Sequence, residues 1–272
     1  MRRIALASLL AALASPALAQ TAPVATPAPL VTKGPYLSSP FTLTSSSGFY
    51  VGIGTSAAVA ASNVSGNVIT IPGLTGGNVS AAGGTIDVDF GYIWGHCILG
   101  TWCQVEIDGK YTNIDGNTAV GNIAYRWGIT EEFDIGADVI QTILAAFPSL
   151  SNPFPTFSPT GLLPANVAVA TTPRGYFGVI NGDYLVSGNV GQSGGQTWID
   201  APGVTTGFRW QTLNSAGKPN GGSLKVYADV MWGTKTLNIA NVFGATGGPI
   251  ITQPNVSLNT MYIVGLKYDF GL

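Results

Sequence analysis

Polarity alternates residue by residue along several long stretches of this chain, and that alternation restricts the fold more than any motif does. In 259–272, Tyr262, Val264, Leu266, Tyr268, Phe270 and Leu272 share one face of an extended segment. Met261, Ile263, Gly265, Lys267 and Asp269 share the other, because successive strand side chains point to opposite sides. In 223–235, Lys225, Asp229 and Lys235 alternate with Leu224, Val226, Ala228, Val230 and Trp232. In 86–95, Asp87 and Asp89 alternate with Ile86, Val88, Phe90, Tyr92 and Trp94. In 102–112, Gln104, Glu106, Asp108 and Lys110 alternate with Cys103, Val105, Ile107 and Tyr111. Charges therefore sit between apolar residues without interrupting the apolar face. Long strands of this kind, with aromatics toward their ends, are expected of an all-β, antiparallel transmembrane β-barrel, apolar side chains to lipid and polar ones to the lumen.

A water-soluble β-sandwich also alternates, with its apolar face in a core and its polar face in water. Composition favours the barrel. Only 9% of the residues are charged, against roughly 25% in soluble domains. A sandwich of this size would need a charged exterior, whereas most of the charges here fall on the alternating stretches.

The first nineteen residues read as a secretory signal, with Arg2 and Arg3, an apolar run over 4–13 and Ala17-Leu18-Ala19 as cleavage site. Cleavage before Gln20 leaves nine basic and thirteen acidic residues, a net charge of −4, so no nucleic-acid partner is expected. No other stretch is long and clean enough for a membrane helix, but barrel strands need only about 9–11 residues. Export combined with such strands points to a bacterial outer membrane, with its lipid and lipopolysaccharide around the barrel. Residues 20–47, carrying Pro23, Pro27, Pro29, Pro35 and Pro40, read as an extended leader, and 48–272 as the barrel.

Alternation and turn residues predict eight strands near 48–60, 84–95, 101–113, 119–129, 133–142, 203–213, 222–236 and 259–272. Turns at 96–100, 130–132 and 214–221 would be the short periplasmic ones of an up-and-down meander. Connections at 61–83, 114–118, 143–202 and 237–258 would be external, most of them long. Within 143–202, Asn181-Gly182 is a hairpin signal between two further extended runs. If that hairpin enters the wall, the barrel has ten strands instead.

On this register Asp87, Asp89, Glu106, Asp108, Asp134, Asp138, Asp229 and Asp269 point inward, as do Lys110, Arg126, Arg209, Lys225, Lys235 and Lys267. An eight-stranded barrel is just wide enough for side chains to fill it, and buried charges must then pair. Arg126 and Arg209 are the expected bridges, since a planar guanidinium can hold two carboxylates. Trp94, Trp102, Trp127, Trp210, Trp232, Tyr268 and Phe270 are expected in interfacial aromatic belts. Cys97 and Cys103 flank a short turn, where export permits a disulfide; free thiols are the other reading. His96, the sole histidine, reads as a belt residue beside Trp94 and Trp102. Neither a zinc nor a haem spacing is present, so no metal or cofactor is expected.

No Gly-x-Ser-x-Gly elbow or phosphate-cradling loop occurs, and Glu131 and Glu132 read as exposed charges in a tight turn. No catalytic residue is therefore assigned. The expected function is a structural or surface-interaction barrel with a salt-bridged lumen. A porin-like narrow diffusion channel is the alternative, and an outer-membrane enzyme comes third. Loop stretches 70–77 and 147–163, poor in charge, could contact an external ligand.

Gly48-Phe49-Tyr50-Val51-Gly52 follows a leader containing Thr32-Lys33-Gly34-Pro35-Tyr36, and the chain closes on Val264-Gly265-Leu266-Lys267-Tyr268-Asp269-Phe270. In these two ends the chain resembles small outer-membrane β-barrel proteins of alphaproteobacteria, similar in architecture to the transmembrane domain of outer-membrane protein A. The resemblance implies a structural, adhesive or weakly porin-like role, and assembly machinery that engages the final strand. That strand usually ends on phenylalanine; here Gly271-Leu272 follow Phe270.

Overall fold

A computed structural model describes residues 47–68, 77–95, 97, 101–117, 122–137, 147, 168–169, 173–190, 193–214, 219–238, 242–243 and 249–272. The signal, nearly all of the leader, His96, Asp138 and most of the two loop stretches lie outside them. Eight long strands form the wall: β1 (Gly48–Val68), β2 (Gly77–Trp94), β3 (Trp102–Asn117), β4 (Asn122–Ala137), β6 (Arg174–Val190), β7 (Ser193–Leu213), β8 (Pro219–Met231) and β11 (Pro249–Gly271). Each pairs antiparallel with the next, and β1 also pairs with β11, which closes the barrel. Three short segments add to the edges: β5 (Ala168–Val169) on β7, and β9 (Thr236–Asn238) and β10 (Val242–Phe243) on β11.

The count of eight holds, but two expected elements are different. Residues 122–137 make one strand where two were expected, with Glu131 opposite Ile107 and Glu132 opposite Glu106 in unbroken register. The segment 130–132 contains no turn residue, so nothing stops the strand there. Conversely, Asn181-Gly182 lies inside β6, paired with Glu131 and Thr130. Gly182 serves close approach here, because a Cβ on it would meet the Tyr184 ring. The hairpin turn falls instead between Val190 and Ser193. The connections also sort differently by end. The end that carries Gly48 and Gly271 holds 95–101, 214–218 and the longest connection, 138–173, while 191–192 is at the opposite end.

Register fixes the size of the barrel. Following partners from Tyr50 through Gly91, Glu106, Glu132, Ile180, Gly203, Met231 and Met261 leads back to β1 at Ala60. Strands about 4.8 Å apart and rising about 3.3 Å per residue must then tilt by about 41°, which puts the backbone about 8 Å from the axis. Side chains fill such an interior.

Alternation is interrupted once in a way that matters. Trp127 has a positive φ of 51°, and the β4–β6 register shifts between Arg126 and Gly128. The bulge leaves Tyr125 and Gly128 buried, with Trp127 exposed and Arg126 half-exposed beside it.

The polarity of the two faces also inverts along the strands. Toward the terminal end, Val105, Ile107 and Tyr111 face out while Glu106, Asp108 and Lys110 are buried; farther along β3, Asn113 and Asp115 face out and Ile114 is buried. On β11, Lys267 and Asp269 are buried below, while Val256 and Leu258 are buried above. Ile123, Tyr125, Val186, Ile199, Leu237, Val256, Leu258 and Met261 belong to one apolar cluster in that upper part. The barrel thus has a charged lower lumen inside an apolar outer band, and an apolar upper lumen inside a polar exterior.

Trp102 lies inside the lower end, and a Cβ on Gly136 would overlap its indole. Gly136→Val should lower the unfolding free energy by about 1–3 kcal/mol, read as the urea midpoint of the folded band on gels. Gly48→Val, with open space around it, should change it by less than about 0.5 kcal/mol.

Candidate functional site

Four cations and eight carboxylates are buried in the lower lumen among the described residues: Lys110, Lys225, Lys267 and Arg209 against Asp87, Asp89, Glu106, Asp108, Glu132, Asp134, Asp229 and Asp269. Lys267 donates to Glu106 Oε1 and Asp108 Oδ2, both at 2.6 Å. Lys225 reaches Glu132 at 2.5 Å and Asp134 at 3.3 Å. Lys110 stands 3.3 Å from Asp229 and 3.5 Å from Asp108. Arg209 donates to Asp269 and to Gln104 Oε1 at 2.5 Å and to Ser223 at 2.6 Å. Apart from Arg209 to Ser223 on adjacent strands and Lys110 to Asp108 within β3, these bonds run between strands that are not neighbours, such as β8 to β4, β11 to β3 and β7 to β3, and so cross the lumen.

Neutral groups complete the network. Tyr50 donates to Glu106 Oε2 at 2.6 Å, and Gln104 donates to both at 2.6 and 2.8 Å. Thr205 donates to Asp229 and Tyr227 to Asp87. The Tyr227 ring has Lys267, Lys110 and Lys225 within 5.0, 5.2 and 5.9 Å of its centroid, a cation–π arrangement that spreads three ammonium charges over one buried quadrupole. Arg209 likewise lies 5.6 Å from the Tyr50 ring and 5.7 Å from the Trp102 ring.

The structure therefore places Asp87, Asp89, Glu106, Asp108, Lys110, Asp134, Arg209, Lys225, Asp229, Lys267 and Asp269 inside together. Two expected lumen residues are elsewhere. Arg126 pairs with Asp115 at 2.8 Å on the outside, with both side chains substantially exposed, because the Trp127 bulge shifts its phase. Lys235 follows the end of β8 and pairs with Asp200 at 2.6 Å, also exposed; alternation had been carried past the strand end. Trp102 is a third correction, since it is buried at 3% exposure and caps the network instead of joining a belt. Glu132 was missed for the opposite reason: it looked like a turn residue and is a buried partner of Lys225. Its neighbour Glu131 faces outward between Ile129 and Phe133, beside Ile107 and Asn181.

Outside, two aromatic rows flank the apolar band. Phe49, Tyr92 and Trp94 touch edge-on at 4.8 Å, and Tyr268 and Phe270 at 4.5 Å, at the terminal end, where Trp210 packs by Phe208. Tyr111 and Trp127 at 4.8 Å mark the other row, together with exposed Trp232 and Tyr262. Cys97 and Cys103 are joined in a disulfide with Cα atoms 5.7 Å apart.

No protein-family profile and no curated protein matches the chain. Solved structures with a similar course of chain include outer membrane protein OprG from Pseudomonas aeruginosa, 12% identical with a TM-score of 0.43 over 84% of this chain and 98% of that one. Neisserial surface protein A is 16% identical with a TM-score of 0.36 over 82% and 98%. Outer membrane protease OmpT from Escherichia coli is 7% identical with a TM-score of 0.31 over 81% and 97%. The strand pairings above establish the fold without them.

Lys225→Met should cost about 3–5 kcal/mol, because it strands Glu132 and Asp134 in a buried site. Arg126→Ala and Lys235→Met should each cost less than about 1 kcal/mol, as exposed pairs do. Glu131→Leu should raise stability of the chain refolded in lipid vesicles by about 1 kcal/mol, since it removes a carboxylate from an otherwise apolar outward row. Reversible urea titrations of the refolded variants measure all four.

Proposed function

We propose that this chain is a bacterial outer-membrane barrel whose lumen is a filled, salt-bridged interior, serving as a structural or surface-interaction scaffold. One observation carries the reading: Lys225, Lys267, Lys110 and Arg209 each bridge carboxylates or amides across the barrel from distant strands. A row of such crossings occupies the path that a solute would need, and Trp102 and Arg209 stand across its terminal end. All four buried cations are engaged by carboxylates, which supports a non-catalytic role over an enzymatic one.

The exterior supports a membrane setting. On β11, outward positions Tyr262, Val264, Leu266, Tyr268 and Phe270 run through eight residue steps, about 20 Å along the axis at this tilt. With the terminal rings included, this fits the apolar band of roughly 25 Å that such barrels present to lipid. Lipid and lipopolysaccharide would contact this band, and the assembly machinery would engage β11, the last strand to be made.

Planar-bilayer recording of the purified, refolded chain tests the filled lumen. No reproducible single-channel steps are expected. Stable steps in the unmodified protein would overturn this reading in favour of the narrow diffusion channel. Cell fractionation tests the location: the folded chain should stay with outer membranes and migrate faster on gels before boiling than after. Recovery in the soluble fraction with unchanged migration would overturn it.

A further inference from the structure

Near the seam where the first and last strands meet, three carboxylates converge from three strands: Asp89 from β2, Glu106 from β3 and Asp269 from β11. One oxygen from each lies within 4.8 Å of the others. Between them is Gly52 on β1, on which a Cβ would run into both Asp89 Oδ1 and Asp269 Oδ1. Glycine therefore keeps open the space that these two oxygens share.

The three groups differ in how they are satisfied. Glu106 takes Lys267 on one oxygen and Tyr50 with Gln104 on the other. Asp269 takes Arg209 and Ser223 on Oδ2, but its Oδ1 accepts no hydrogen bond. Asp89, only 2% exposed, accepts no hydrogen bond on either oxygen; Lys267 forms an ion pair with its Oδ2 at 3.4 Å, and Oδ1 has no such partner. Two carboxylates thus turn bare oxygens toward one gap, out of water, in a lumen with twice as many acids as cations. Burial of charge on such terms is very unfavourable unless further positive charge sits between them.

We propose that Asp89 and Asp269, with Glu106 behind them, form a buried site for one divalent cation of calcium size over Gly52. Carboxylate oxygens without nitrogen or sulfur donors suit a hard cation. Calcium accepts irregular oxygen shells at about 2.4 Å, whereas magnesium demands near-ideal octahedral geometry and gives up its water reluctantly. The three oxygens lie within 4.8 Å of one another, and a dry, irregular site of this kind suits calcium better than magnesium. Because β2 and β11 flank β1 on either side, the ion ties both neighbours of the first strand together and acts as a clasp on the barrel's closing seam. The inference rests on the lumen being a filled interior and is independent of whether the barrel resides in the outer membrane.

The test uses the full refolded chain in detergent, stripped with EDTA and then exposed to calcium chloride. Retained calcium is measured by atomic emission after gel filtration, and stability by the temperature at which the folded band is lost. The wild type should retain about one calcium per chain and gain several degrees over its EDTA form, as a ligand that binds only the folded state requires. Asp89→Asn and Asp269→Asn should each lose the bound calcium and the shift, while rim variant Asp200→Asn keeps both. Calcium retention equal in wild type and Asp89→Asn would overturn the site. So would an Asp89→Asn protein that is more stable than wild type in EDTA and in calcium alike, since no ion would then be offsetting the repulsion between the carboxylates. Either failure leaves the bilayer recording, and hence the filled-lumen reading, untouched.

Discussion

Closure of eight strands with a displacement of ten residues around the ring, from Tyr50 to Ala60, is the constraint from which the rest follows. It sets a radius at which inward side chains meet across the lumen. A charge placed inside cannot be solvated by a column of water and must find its partner on another strand. Lys225 on β8 meeting Glu132 on β4, and Lys267 on β11 meeting Glu106 on β3, are therefore direct results of the register. Large rings such as Tyr227 and Tyr50 fill the remaining volume and present faces to the same cations.

Much of this was legible in the sequence wherever alternation runs unbroken. Asp87, Asp89, Glu106, Asp108, Lys267 and Asp269 could be assigned to the lumen because nothing interrupts β2, β3 or β11 over those residues. Arg126 could not, because one residue in a left-handed conformation, Trp127, resets the phase, and the glycine at the bulge, Gly128, follows that position instead of occupying it. Asn181-Gly182 has the composition of a turn, but its glycine is used to admit the Tyr184 ring. The two strand misreadings offset each other, one strand too many in 119–142 and one too few in 174–213, so the total was right for partly wrong reasons. Tryptophan near a strand end is usually an interfacial anchor, but Trp102 shares the phase of Gln104, Glu106 and Asp108, and that phase points it inward.

The converging carboxylates had no sequence signature at all. A search for metal ligands by spacing looks for histidine and cysteine close together in the chain, whereas Asp89, Glu106 and Asp269 come from three strands and meet only when the barrel closes. The single cue is Gly52, an inward glycine, and it becomes informative only when the oxygens that occupy its side-chain volume are known.

The inversion of polarity along each strand means that pairing is proof-read twice. A slip of one residue exchanges the two faces of a strand. In the lower part such a slip would turn Glu106 and Asp108 out toward the apolar band, and in the same stroke would turn Ile114 out into the polar upper exterior. A wrong register is thus penalised in two solvents at once, by charge in one and by exposed hydrocarbon in the other. An error that is tolerable in one half of the strand is still rejected by the other.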